Sequence, residues 1–352
     1  PLAALATRSG RAPALATGAI IAAVGAVVGI VAAVLGWTLL LLAGVVLLGV
    51  GTAVNLQARF AATDLSEPNR RGRDLSVVVW STTVGAVLGP NLIGPGDAVG
   101  QFLGLPPLAG VYLFTVAAQL AAFVVYLVGL RPDPLRLAAR IGAERPAAPE
   151  AGPREADPNG VAVGMVSTSL SHMTMVAIMA MTPVHLVNHG AGLELVGLTI
   201  SLHVLGMYAF SPLWGTLADR LGREATIAIG QVLLLGALLL LAVGSESEVA
   251  VAAGLFTIGL GWSAANVAGS TLITESVDVA SRARIQGRAD LLMSAAGAIG
   301  GAAAGLVLAE LGYGGLALTA TALAAAVLGA LVARLSRRAD PAEAADSADS
   351  AE

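Results

Sequence analysis

The arginines of this chain fall on one side of an alternating series of apolar runs, and this asymmetry constrains the fold more than any other feature. All nineteen basic residues are arginine. Arg8 and Arg11 precede the first long apolar run, and Arg59, Arg70, Arg71 and Arg73 follow two runs later. Arg131, Arg136, Arg140, Arg145 and Arg154 come after two more, then Arg220 and Arg223, then Arg282, Arg284 and Arg288, then Arg334, Arg337 and Arg338. The intervening connections, near 36–37, 94–107, 185–194, 244–248 and 310–314, carry no cation. A soluble protein has no reason to sort its charges this way. A chain that crosses a bilayer repeatedly does, because basic loops stay on the cytoplasmic side.

Composition agrees. The chain is 56% hydrophobic and 12% charged, against about 25% charged in ordinary soluble domains. Ten runs reach the roughly 20 residues a bilayer crossing needs: 12–34, 37–59, 74–95, 107–130, 160–184, 193–217, 224–243, 249–271, 287–309 and 314–334. Their richness in glycine and alanine lets helices approach closely, as membrane helices do. The fold class is therefore all-α and polytopic, with the lipid bilayer as the first partner. Cysteine is absent, which excludes disulfides, thiolate metal sites and cysteine catalysis. With no nucleophile, metal cluster or phosphate loop visible, no enzyme activity, cofactor, metal or nucleic-acid partner is expected.

The polar stretch 131–159 divides a first bundle (1–130) from a second (160–335) and reads as a cytoplasmic linker. The acidic, low-complexity tail 336–352 reads as disordered. The two bundles are similar to each other. LAALATRSGR from Leu2 aligns with WGTLADRLGR from Trp214, an offset of 212. Val54-Asn55-Leu56 aligns with Ala265-Asn266-Val267, and Thr63-Asp64 with Thr274-Glu275, an offset of 211. Two matches at nearly one offset point to a duplicated six-helix bundle. On that register Pro1 to Thr7 is the stub of a second span, and a full form would have twelve spans with both termini and the linker cytoplasmic.

The segment Gly215-Thr-Leu-Ala-Asp219-Arg220-Leu-Gly222-Arg223 resembles the loop signature of the major facilitator superfamily, and Arg8, Gly10 and Arg11 keep part of it in the first half. In that family the loop latches the cytoplasmic side, so the resemblance implies a gating role for these residues. A second segment, Gly85-Ala-Val-Leu-Gly89-Pro90-Asn-Leu-Ile-Gly94-Pro95, is similar to the family's antiporter signature and implies export. Gly85 and Gly89 share a helix face, and Pro90 kinks a helix, so a close-packed, bendable seam is expected. The arginine that drug–proton exporters of the family carry in the preceding span is missing: Val45-Val-Leu-Leu-Gly49 stands there. The connections bearing Asp64, Arg70, Arg71 and Arg73, and Glu275, Arg282, Arg284 and Arg288, are dense enough in paired charge to form a switching network.

Polar groups inside apolar spans are costly and usually face the bundle interior. Ser167, Ser171, Thr174 and Thr182 recur on one helix face, with Met165, His172, Met175 and Met179 beside them. Flexible methionines suit a cavity for varied apolar ligands. Asn55, Ser171, His172, Thr174, Met175, Met179, His203 and Asn266 are the candidate cavity residues; His172 and His203 are candidate proton carriers. The sequence thus predicts a monomeric secondary transporter of the cytoplasmic membrane. It would work by alternating access, exporting a small amphipathic or hydrophobic compound with proton coupling. A nutrient symporter on the same fold and a non-transporting membrane remnant are the alternatives.

Overall fold

The computed structural model describes residues 2–144 and 157–349. These residues form thirteen helices, with no strand among them. In chain order they are α1 (Leu2–Ser9), α2 (Arg11–Leu35), α3 (Thr38–Ala61), α4 (Arg71–Asn91), α5 (Ile93–Phe102), α6 (Val111–Gly129) and α7 (Pro134–Glu144). Then follow α8 (Pro158–Asn188), α9 (Leu193–Tyr208), α10 (Ser211–Leu221), α11 (Arg223–Gly244), α12 (Glu248–Glu275) and α13 (Val279–Asp349).

Eight helical stretches are long and apolar enough to cross a membrane, the last being Val279–Arg334. At about 1.5 Å per residue, its 56 residues reach well past one bilayer of about 30 Å. Gly312 (φ 69°, ψ −178°) interrupts it, between the two apolar runs seen in the sequence. The run read as 74–95 divides at Leu92 into α4 and α5, and the run 193–217 divides at Ala209–Phe210 into α9 and α10. Pro95 and Pro212 explain both breaks: proline cannot donate to the preceding turn but is tolerated in the first turn of a new helix. Large apolar side chains lie exposed along the helices, among them Leu39, Val46, Val128, Val243 and Leu306, as lipid-facing surfaces require.

Two readings change. The stretch 131–159 is not purely linker, because α7 occupies Pro134–Glu144; residues 145–156 lie outside the described residues. The tail read as disordered continues α13 as helix to Asp349. Its alanine-rich composition favours helix once a preceding turn exists.

The chain divides into two compact units. The first comprises Pro1–Glu155 with Val277–Asp290, and the second Ala156–Ser276 with Leu291–Glu352. In the first unit α2 and α3 meet at Gly25 and Gly44, where a Cβ on either residue would come within about 3 Å of the other's backbone. The second unit is organised around α12, buried without interruption from Gly261 to Thr274. It meets α8 through Gly164 and Gly269, α9 through Gly206 and Gly259, and α11 through Gly230 and Gly261. A helix buried all round needs small residues on every face.

These seams predict opposite outcomes for two glycines. A Cβ at Gly261 would lie 2.7 Å from the Gly230 carbonyl oxygen and 3.0 Å from the Leu234 amide. Gly261→Val should therefore lower the thermal midpoint, at a cost of about 1–3 kcal/mol. Gly236 in α11 has nothing within 4 Å of its would-be Cβ, so Gly236→Ala should stabilise by about 0.5–1 kcal/mol. Thermal melts in detergent compare the two; a Gly261→Val protein as stable as wild type would show that the seam yields.

Candidate functional site

The first unit contains a buried charge network built on Arg11. Its guanidinium is 1% exposed. It donates from Nε to Asp64 Oδ2 at 2.8 Å and from Nη2 to Asp64 Oδ1 at 3.2 Å. Nη1 donates to Gln57 Oε1 at 3.1 Å, and Nη2 to Gln286 Oε1 at 2.5 Å. Gln57 Nε2 in turn donates to Asp290 Oδ2 at 2.6 Å, while Arg59 Nη2 holds Asp290 Oδ1 at 2.7 Å. Arg59 also sits 4.8 Å over the Phe60 ring, and Arg282 Nη1 lies 3.9 Å from Asp64 Oδ1. Two carboxylates, three guanidiniums and two amides thus converge away from water. Charge buried in a dry interior persists only when paired and hydrogen-bonded.

The first turns of α13 supply Arg282, Gln286 and Asp290 to this network. Asp278 caps that helix, its Oδ1 accepting from the Ser281 N–H at 2.6 Å. That hydrogen bond holds the Asp278 carboxyl below the usual carboxylate range.

The second unit repeats the arrangement in reduced form. Arg223 donates from Nε and Nη2 to Glu275 at 3.0 and 2.8 Å. It also holds Asp219 at 3.0 Å and the Ala218 carbonyl at 2.5 Å. Arg11 and Arg223 are counterparts in the sequence repeat, as are Asp64 and Glu275, and the paired residues are 53 and 52 positions apart. The loop glycines match as well: Gly10 has φ 94° and ψ 175°, Gly222 φ 95° and ψ 157°. That backbone region is essentially glycine-only. Beside Arg223 a second cluster joins the starts of α8 and α11 to α13. Arg334 donates from Nε to Glu224 at 2.5 Å and from Nη1 and Nη2 to Asp157 at 3.1 and 2.5 Å. Arg223, Glu224, Glu275, Asp157 and Arg334 line a cavity of about 560 Å³.

Residues read from the sequence as two groups, loop motif and charge network, thus form one pairing in each half. Gly215 is buried, Arg8 and Arg220 are exposed, and so are Arg70, Arg73, Arg284 and Arg288; Arg71 is half-buried. Asp290 closes the charge-dense second connection read from the sequence, but its pairing with Arg59 was not anticipated, nor were Gln286, Asp157, Glu224 and Arg334. The repeated separation of arginine and carboxylate was the available signal for the Arg11 and Arg223 pairs. The remaining partners come from distant helices and left no local pattern.

Gly85, Gly89 and Gly94 lie along α4 and α5, and a Cβ on any of them would meet nothing within 4 Å. The expected close packing is therefore not seen at these glycines, while Pro90 lies two residues before the Leu92 break.

The candidate cavity residues divide. Asn55, in the first unit, is exposed and donates to Thr82 Oγ1 at 3.2 Å. In the second unit Ser171 accepts from Gln231 Nε2 at 2.8 Å. His172 Nδ1 accepts from Trp262 Nε1 at 3.1 Å, and Tyr208 meets the Trp262 ring edge-on at 5.9 Å. Thr174 and Asn266 are buried, and Met175 belongs to the apolar core with Met179 packed on it. His203 is fully buried, with Nδ1 2.7 Å from the Leu255 carbonyl oxygen. His185 stacks on Tyr313 (4.3 Å, 9°) and contacts the Ser245 carbonyl at 2.7 Å. Tyr313 and Thr182 share a hydrogen bond of 2.8 Å. His185, His189, Glu246 and Tyr313 border a second cavity of about 580 Å³.

The family model described as Major Facilitator Superfamily matches residues 164–352. The chain is 40% identical over 276 residues to YdeG, an uncharacterized MFS-type transporter of Bacillus subtilis strain 168, covering 77% of this chain and 64% of that protein. It is 28% identical over 243 residues to the riboflavin transporter RfnT of Brucella anthropi, covering 67% of this chain and 57% of that protein. The chain therefore spans less than two thirds of the length of these relatives. Among solved structures, the human organic anion transporter MFSD10 superposes with a TM-score of 0.73 at 18% identity, over 94% of this chain and 79% of that one. The Escherichia coli fucose:proton symporter FucP superposes with a TM-score of 0.61 at 15% identity, over 95% and 86%. These structures share the fold. With more than half its length matched by the family model and an all-helical fold common to solved members, the chain belongs to the major facilitator superfamily.

Proposed function

We propose that the protein is a secondary transporter of the cytoplasmic membrane, working by alternating access and exporting a small amphipathic or hydrophobic compound in exchange for protons. One observation carries the reading: the buried network of Arg11, Gln57, Arg59 and Asp64 holds Gln286 and Asp290 of α13. A dense set of charges that is satisfied in one arrangement is the kind of two-state element a gate needs. Protonation of Asp290 removes the charge that Arg59 holds, so proton binding and release of the first turns of α13 are linked events. Export rests on the resemblance of Gly85–Pro95 to the family's antiporter signature, whose Pro90 lies two residues before the Leu92 break. The ligand class is supported by the His172–Trp262–Tyr208 group, in which Trp262 is buried and His172 and Tyr208 are half-buried, an aromatic and imidazole set suited to flat, partly polar molecules. The resemblance to a riboflavin transporter puts heteroaromatic compounds first in a test panel.

The test uses everted membrane vesicles containing the protein, an imposed pH gradient and a panel of flat amphipathic compounds. Gradient-driven uptake of at least one compound is expected. Asp290→Asn should abolish accumulation while leaving compound-for-compound exchange. Gradient-driven accumulation in Asp290→Asn would remove Asp290 as the proton carrier, and no uptake of any compound by wild type would remove the exporter reading.

A further inference from the structure

The arginines of α7 stand apart from those of the network. Arg11, Arg59, Arg223, Arg282 and Arg334 each face a carboxylate. Arg136 and Arg140 are exposed, as are Arg131 before the helix and Arg8 beside it. Two of them hold backbone carbonyls: Arg131 Nε donates to Leu127 O at 2.8 Å, and Arg136 Nη2 donates to Arg8 O at 3.4 Å. The nearby carboxyl of Asp133 is spent on the backbone N–H groups of Ala12 (2.8 Å) and Arg136 (3.2 Å).

The faces of α7 are sorted three ways. Leu135 is buried and joins a core with Ala6, Ala14 and Ala283. Arg136 and Arg140, four residues apart, form an exposed basic stripe. Leu137, half-buried, and Ile141, 47% exposed, form an apolar stripe beside it. Residues four apart share a helix face. The helix is thus anchored to the protein on one side and carries adjoining basic and apolar strips on the others. It begins five residues after the apolar helix α6 ends at Gly129, which places it at a membrane boundary. An amphipathic helix with arginine next to exposed aliphatic side chains lies in the headgroup region and attracts anionic lipid. Guanidinium matches a phosphodiester through paired N–H donors.

We propose that α7 and the end of α6 form a binding surface for anionic phospholipid headgroups, held by Arg8, Arg131, Arg136 and Arg140, with Leu137 and Ile141 inserted among the acyl chains. Apart from Arg8, which belongs to the loop motif, the site is independent of the transport reading, since none of these side chains enters the buried network.

Binding is measured on the full chain in uncharged detergent, by thermal midpoint against added phosphatidylglycerol, phosphatidylcholine or inorganic phosphate. Phosphatidylglycerol should raise the midpoint, and its affinity should fall as salt rises. Arg136→Gln with Arg140→Gln should weaken that affinity roughly 25-fold, about fivefold per arginine, without moving the lipid-free midpoint. The double Lys variant should retain most of it. Equal shifts with phosphatidylcholine, an unweakened double Gln variant, salt-independent binding, or a full shift from phosphate alone would each overturn the assignment.

Discussion

Arg11→Ala is expected to destabilise the protein by about 3–5 kcal/mol, the range for breaking a buried ion pair from one side. Truncation strands the Asp64 carboxylate, whose side chain is fully buried, and leaves it only the more distant Arg282 guanidinium at 3.9 Å. It also strips Gln57 and Gln286 of a donor. Because each kcal/mol moves the midpoint of a large domain by about 2–4 °C, the melt in detergent should fall by on the order of 10 °C. The double replacement Arg11→Met with Asp64→Leu should recover most of that loss, since apolar substitution of a whole buried pair is often neutral. On the proposed mechanism transport should stay lost in both variants, because the charge pair assigned to the gate is gone. Arg223→Ala should cost less, because Glu275 is 25% exposed and can turn to water. An Arg11→Ala midpoint within 2 °C of wild type would show that the network contributes little.

Gly10→Ala is the second large effect. At φ 94° and ψ 175° a side chain is strained by about 1–3 kcal/mol. Its Cβ would also lie 2.5 Å from Asp133 Oδ2, the carboxyl oxygen that accepts from the Ala12 N–H next to Arg11. Strain and collision therefore add. Gly222 has nearly the same dihedrals but nothing within 4 Å of a Cβ, so Gly222→Ala should show the strain alone. Melts of the two variants separate the terms: Gly10→Ala must fall further than Gly222→Ala. Equal falls would mean that Asp133 moves aside at no cost.

Particular residues show where the sequence was readable. The apolar runs and the one-sided arginines locate the spans, because a bilayer tolerates neither unpaired backbone nor stray charge. The repeat aligns Gly10 with Gly222, and the two share a backbone conformation because both halves preserve the residue their turn demands. Asp290 was not readable as a partner of Arg59. The two are 231 positions apart, and side-chain pairing at that range depends on how whole helices are placed. Gln286 beside Arg11 is the same case. The glycines of α4 mislead in the opposite direction: their spacing suggests a seam, yet no neighbour closes on them.

What the chain alone determined is its solvent, its helical class, its duplicated plan and the motif that marks its family. Hydrophobicity, charge placement and glycine act locally and leave a periodic trace. Tertiary structure decided which charges pair with one another, which arginines stay exposed on α7, and which helix becomes the buried hub. Those outcomes depend on distances across the fold, and a linear pattern does not encode them.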